Sequence, residues 1–183
     1  MELIKQQSIL QTVKVFLIII LGTVLLTVSA KIKIPFYPVP MTMQTFVVLF
    51  LSLCFGYKIG IATVLLYLIE GIAGLPVFSN SPEKGVGIVY FTGPTMGYLI
   101  GFIIACFATS LIKVNDNYFL IFMKLVFSVS FIYILGLLWL GTLIGWDKPI
   151  IKLGVFPFLP AEFLKVTLLT LLTKKIIIFR KII

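Results

Sequence analysis

Histidine is absent from this chain, and acidic residues number only six. Without histidine there is no imidazole to ligate zinc or haem and none to act as a general base. Six carboxylates are too few to supply both a metal cluster and a charged surface. The two cysteines, Cys54 and Cys106, lie inside apolar runs without metal-ligand spacing and read as small hydrophobes. Three motifs are missing too: the GxxxxGK[ST] phosphate loop, the nucleophile elbow and every metal-ligand pattern. The chain therefore cannot hydrolyse ATP, and any uptake it drives takes energy from a partner or a gradient.

What is present is apolar. Hydrophobic residues make up 61% of the sequence and charged residues 11%, and the mean hydropathy is +1.21. These values lie outside the range of a soluble domain and predict an all-α integral membrane protein. At about 20 residues per span, 183 residues allow roughly six to seven spans and no second soluble domain, so residues 1–183 read as one unit. The net charge of +9 then reads as lysines flanking a bilayer of anionic headgroups, not as a nucleic-acid surface. The first apolar run is long enough to span and lacks a clear small-residue cleavage pattern.

Six spans are expected. They cover Val15 to Ala30 (beginning a turn earlier, near Ile9), Met41 to Phe55, Ile59 to Ile72, Thr95 to Ile112, Phe119 to Ile144, and Ala161 to Ile178. The second is short for a full span and follows KIKIPFYPVP, whose three prolines forbid a regular helix. Pro94 is placed to open the fourth span from its first turn, and Gly97 and Gly101 form a GxxxG pair for close helix packing. Lys and Arg divide unevenly between the two sides. Lys5, Lys14, Lys58, Lys113, Lys124, Lys174, Lys175, Arg180 and Lys181 fall on one side; Lys31, Lys33, Lys84, Lys148 and Lys152 fall on the other. The positive-inside rule puts both termini in the cytoplasm, so the Pro-rich loops 31–40, 75–93 and 146–160 face outward, where a solute arrives.

The stretch Gly71 to Gly101 carries seven glycines and three prolines and reads as a shaped segment covering a site. The charges for that site come from the sixth span. Glu162 and Lys165 are three apart, on one helical face, and intramembrane charges usually face a cavity. The alternative is a salt bridge at the membrane boundary. Read functionally, Lys165 takes an anion such as a carboxylate, and Glu162 accepts from N–H donors of a urea or amide. Gln44 is either interhelical glue or a ligand contact. Asn80 can donate and accept, and Phe78, Tyr90, Phe91, Trp146 and Phe158 supply apolar walls. Glu70 reads as a helix-end charge. The set suits a small solute with a flat polar head, an apolar stem and an acid. A membrane enzyme using Glu162 and Lys165 as acid and base is the rival class, but no nucleophile accompanies them.

The runs IPFYPVPMTMQTF, LYLIEGIAGLPVF, GPTMGYLIGF and GVFPFLPAEFLK, in that order, resemble the BioY family over about residues 20 to 170. That family comprises biotin-specific substrate-binding (S) components of energy-coupling-factor (ECF) transporters. The resemblance implies a six-helix S-component fold in a prokaryotic cell membrane. It implies biotin as transported ligand, no catalysis, no cofactor and no metal. It also implies a transmembrane coupling subunit and two ABC ATPases as partners. The family's acidic residue and lysine fall on Glu162 and Lys165, its polar loop residue on Asn80 and its VPxTxQ glutamine on Gln44. Phe78 and Tyr90 join them as ligand-binding residues. The family residue at Glu162 is typically aspartate, one methylene shorter, which keeps an S component for another small vitamin as the second reading. Met96 stands where glycine is usual. The small residues that dock the coupling subunit from the first helix fall on Gly22, Thr23 and Thr27.

Overall fold

The computed structural model describes the backbone of residues 2–182 and the side chains of residues 9–180. Lys5 and Lys181, counted above in the topology, have side chains outside that range. The elements run α1 (Glu2–Lys31), β1 (Lys33–Ile34), β2 (Met41–Thr42), α2 (Gln44–Phe55), α3 (Tyr57–Ile72), α4 (Met96–Ala108), α5 (Tyr118–Ile144), α6 (Ile150–Gly154) and α7 (Leu159–Ile176). Each expected span coincides with one of α1, α2, α3, α4, α5 and α7. Two stretches, Ile9–Lys31 and Tyr118–Ile144, are long and apolar enough to cross a membrane on those grounds alone. At 12 and 13 residues, α2 and α4 fall short of the roughly 20 that a full crossing needs.

The outward-read loops hold more order than their prolines suggested. Within 31–40 the chain makes a small antiparallel hairpin, with Lys33 opposite Thr42 and Ile34 opposite Met41. Loop 75–93 contains a 3-10 turn over Gly87–Thr92, and loop 146–160 contains α6. Pro94 lies in the turn before α4, not in its first turn. The earliest helical bond runs from the Leu99 N–H to the Thr95 carbonyl, so the helix begins after it.

Large apolar side chains cover the outside of the bundle: Phe16, Leu21, Phe119 and Leu164 are all exposed. That is the pattern of helices solvated by hydrocarbon. Hydroxyls in the interior donate back to their own helices, as Thr63 does to Ile59 O, Thr170 to Val166 O and Thr173 to Leu169 O. Helix contact relies on small residues, because lipid provides no hydrophobic force between helices. The GxxxG pair seats α4 on α5: a Cβ on Gly101 would stand 2.6 Å from Ile132 Cα, and one on Gly97 would meet the Leu135 carbonyl. Gly56, at φ 87°, turns α2 into α3 in one residue.

The small residues of α1 serve the same internal purpose. A Cβ on Gly22 would lie 2.6 Å from Thr63 Cγ2 of α3. Thr23 is buried and donates to Glu70 Oε1 at 2.9 Å as well as to Ile20 O, and Thr27 donates to Thr23 O. Gly22 and Thr23 are therefore consumed by the α1–α3 contact and offer no free docking surface. The open flank of α1 is Leu17, Leu21, Val24 and Val28.

At the opposite end from the Pro-rich loops, Asn117 caps α5 by accepting from Leu120 N–H at 2.8 Å. The Lys113 N–H and the Lys124 ammonium hold the Asp116 carboxyl below the usual carboxylate range. Arg180, read from sequence only as a flanking charge, donates to the last carbonyls of α2, Leu53 O at 2.9 Å and Ser52 O at 3.3 Å.

Candidate functional site

Phe158 and Pro160 start α7, and the Glu162 N–H bonds back to the Phe158 carbonyl at 2.9 Å. The first two turns then turn Glu162 and Lys165 inward, at 6% and 7% exposure. The hairpin and the start of α2 bring the partners from more than a hundred residues away. The Lys165 ammonium donates to Thr42 O at 2.7 Å, to Thr45 Oγ1 at 3.1 Å and to Glu162 Oε1 at 2.7 Å. Those three bonds use all three ammonium donors. Glu162 Oε1 also accepts from Thr45 Oγ1 at 2.7 Å. Glu162 Oε2 is buried and has no hydrogen-bond partner. Tyr133 lines the cavity beside this carboxylate and is the nearest hydroxylated side chain of α5 to it.

From sequence, Lys165 takes an acid and Glu162 an amide; in this structure the two groups are paired with each other. The two charged groups stand 2.7 Å apart.

Gln44 faces the same cavity, but both ends of its amide are engaged. Its Nε2 donates to Tyr67 Oη at 2.9 Å and its Oε1 accepts from Thr42 Oγ1 at 3.2 Å. Tyr67 passes the chain on to Val77 O at 3.0 Å. The network joins α2, α3 and the start of the loop, so Gln44 serves as glue and as cavity lining at once. The loop wall is aromatic. Phe78 stacks on Tyr90 at 4.5 Å and meets Tyr67 and Phe91 edge-on at 5.3 and 5.4 Å. Ser79 Oγ and Tyr90 Oη are 3.2 Å apart.

Of the residues singled out from sequence, Gln44, Phe78, Tyr90, Phe158, Glu162 and Lys165 line this one cavity. Asn80 does not. Its Oδ1 turns to Lys33 Nζ at 3.1 Å, and Ser79 takes its place in the wall. Phe91 backs Phe78 from behind. Trp146 is 62% exposed and covers Gly141 near the C-terminal end of α5, away from the cavity. Sequence reasoning missed Thr42 and Thr45, although MTMQT placed them beside Gln44. It also missed Tyr98 and Tyr133, which line the cavity from α4 and α5. Only their being hydroxylated aromatics in apolar helices could have marked them.

Two lysines hold the wall shut. At the end of α1, Lys31 Nζ donates to Phe78 O and Ser81 O at 2.8 and 2.7 Å. Lys33 Nζ donates to Ser79 O at 2.8 Å and to Asn80. The closed cavity measures about 50 Å³. That is room for a few waters, against roughly 300 Å³ or more for a small-molecule pocket. The wall formed by Phe78 to Phe91 covers this space from the loop side.

The BioY family profile matches residues 4–181 of this chain. "Probable biotin transporter BioY" of Pyrococcus horikoshii is 34% identical over 159 residues, covering 87% of this chain and 93% of that protein. "Biotin transporter BioY" of Thermotoga maritima is 34% identical over 155 residues, covering 84% and 90%. Among solved structures, the S-component for biotin from an ECF-type ABC transporter superposes with a TM-score of 0.72. It shares 24% identity and is matched over 90% of this chain and 91% of its own. That likeness establishes the fold.

Proposed function

The chain belongs to the BioY family, and from that membership we propose that it captures biotin at the outer face of the cell membrane and mediates its uptake. BioY proteins are membrane-embedded transport subunits, not enzymes, and the fold here is that of an S component. In this reading the chain crosses the bilayer six times, with the short α2 and α4 completed by the irregular segments that flank them, both termini are cytoplasmic, and the Pro-rich loops lie outside. A transmembrane ECF coupling subunit and two ABC ATPases supply the energy. The coupling subunit docks on the open flank of α1, beside Thr27.

The observation that carries the ligand assignment is the buried Glu162–Lys165 pair in the wall of an aromatic-lined cavity, with the Glu162 carboxylate as the acceptor. Biotin's ureido ring offers N–H donors for this acceptor. Its carbonyl draws Lys165 off Thr45, the longest of the three ammonium contacts at 3.1 Å. The fused rings and valeryl chain pack on Phe78, Tyr90 and Phe158. The acid then points to the lid end, where Ser79, Tyr90, Asn80 and Lys33 stand. Purified protein should bind biotin at 1:1 by titration calorimetry. Glu162→Gln should weaken it at least tenfold, because one strong acceptor is replaced by an amide. Binding of another vitamin with no response to biotin would select the second reading, which the extra methylene of Glu162 favours.

Loading this site requires the lysine latch to open. Substituting both Lys31→Ala and Lys33→Ala should speed biotin dissociation by about tenfold, as expected from the loss of charged hydrogen bonds at a partly exposed site. Exchange of labelled biotin measures the rate. An unchanged rate would mean that these lysines do not hold the lid.

A further inference from the structure

A second cavity lies on the flank of the bundle, between α5 and α7. At about 380 Å³ it is much larger than the closed site. Its α5 wall is the stripe Phe122, Val126, Tyr133 and Leu137, and its α7 wall includes Leu159 and Phe163. Phe122 and Phe163 meet edge-on at 5.9 Å. Tyr133 and Glu162 line both this cleft and the closed site, so those two side chains separate them.

We propose that this cleft is a phospholipid site, in which an acyl chain lies between α5 and α7 and Lys152 meets the headgroup phosphate. Position supports a lipid. The α5 helix is one of the two long enough and apolar enough to cross a membrane, and the cleft opens on the flank of a chain of the BioY transporter family beside exposed apolar residues such as Val126 and Phe163. Charge also agrees. Lys152 is exposed on α6, three residues before the cleft residue Val155, and makes no ion pair among the described residues. Gly154 of the same short helix lies against Leu137 of the cleft, so α6 brings this cation to the Leu137 end of the slot, the order of groups in a phospholipid. An unfilled apolar slot would forfeit dispersion contacts along its whole length. The chain in the cleft also sets the apolar medium behind Glu162, on the face away from the ligand. The proposal rests on membrane insertion and not on which vitamin is carried.

The test is native mass spectrometry of the full chain, purified in detergent and supplied with phosphatidylglycerol or phosphatidylcholine. The expected result is one retained phosphatidylglycerol per protein. Val126→Trp fills the cleft and should remove it, with 1:1 biotin binding intact. Val155→Phe, from the opposite wall, should do the same and serves if the first variant does not fold. Lys152→Glu should cut phosphatidylglycerol retention about tenfold relative to phosphatidylcholine. Equal lipid retention by the filled variants would overturn the proposal. So would displacement of the lipid by biotin, which would make the cleft part of the ligand's own pocket. Loss of binding to a coupling subunit with lipid retention unchanged would also overturn it, and would assign the cleft to that partner.

Discussion

Lys165→Ala should abolish biotin binding and lower the melting temperature of the unliganded protein. Lys165 gives its three hydrogen bonds to Thr42 O, Thr45 Oγ1 and Glu162 Oε1 from a site that is 7% exposed. Removing it leaves the Glu162 carboxylate buried without its partner cation, and breaking one side of a buried pair typically costs about 3–5 kcal/mol. The Thr42 carbonyl loses its donor at the same time, so the hairpin loses its anchor to α7. A double variant, Glu162→Gln with Lys165→Met, separates the two effects. With no charge left to strand, it should recover most of the melting temperature, because apolar or neutral replacement of a buried pair is often close to neutral. It should still fail to bind biotin. The readouts are a thermal melt and a binding isotherm on the same preparations. If Lys165→Ala bound biotin within threefold of the parent, the pair would be a structural salt bridge and the site would lie elsewhere.

The parts of this site that the sequence disclosed are those set by local rules. The six apolar runs became helices because length and hydropathy in lipid leave few alternatives. Glu162 and Lys165 stood out because charges inside an apolar run must face something polar. What the sequence could not disclose are distances between elements. The pairing of the two charges with Thr42 and Thr45 depends on where those residues arrive from the hairpin and α2. Asn80 looked like a ligand contact because it is polar and well placed in the loop, yet Lys33 captures it. Gly22 and Thr23 looked like a docking face because they are small. Small residues serve equally for contact inside the chain, and Thr63 of α3 decides between those uses. Tyr133 carried no signal, because a tyrosine in an apolar helix is ordinary until a carboxylate is placed beside it.

Gly71→Val should cost biotin affinity at least tenfold while leaving the helices intact, and the reason joins the loop to the site. Gly71 lies in the last turn of α3, and the Phe78 ring rests directly on it, where any Cβ would overlap the ring. Phe78 is 1% exposed and is the hub of the wall, with Tyr67, Tyr90 and Phe91 packed around it. Two branched methyls at position 71 leave the ring no place in its rotamer, so it must turn towards the cavity or drag the loop outward. Overpacking a filled core costs about 1–3 kcal/mol. Here the softest escape is the loop, which is held mainly by the four lysine bonds to Phe78 O, Ser79 O, Asn80 Oδ1 and Ser81 O. The cost should therefore appear in the lid: a faster biotin off-rate and easier proteolysis within 75–93, with helical circular dichroism unchanged. Phe78→Leu in the Gly71→Val background should restore part of the affinity by making room for the valine methyls. If Gly71→Val bound biotin normally, the Phe78 wall would not form the ligand-facing side of the cavity.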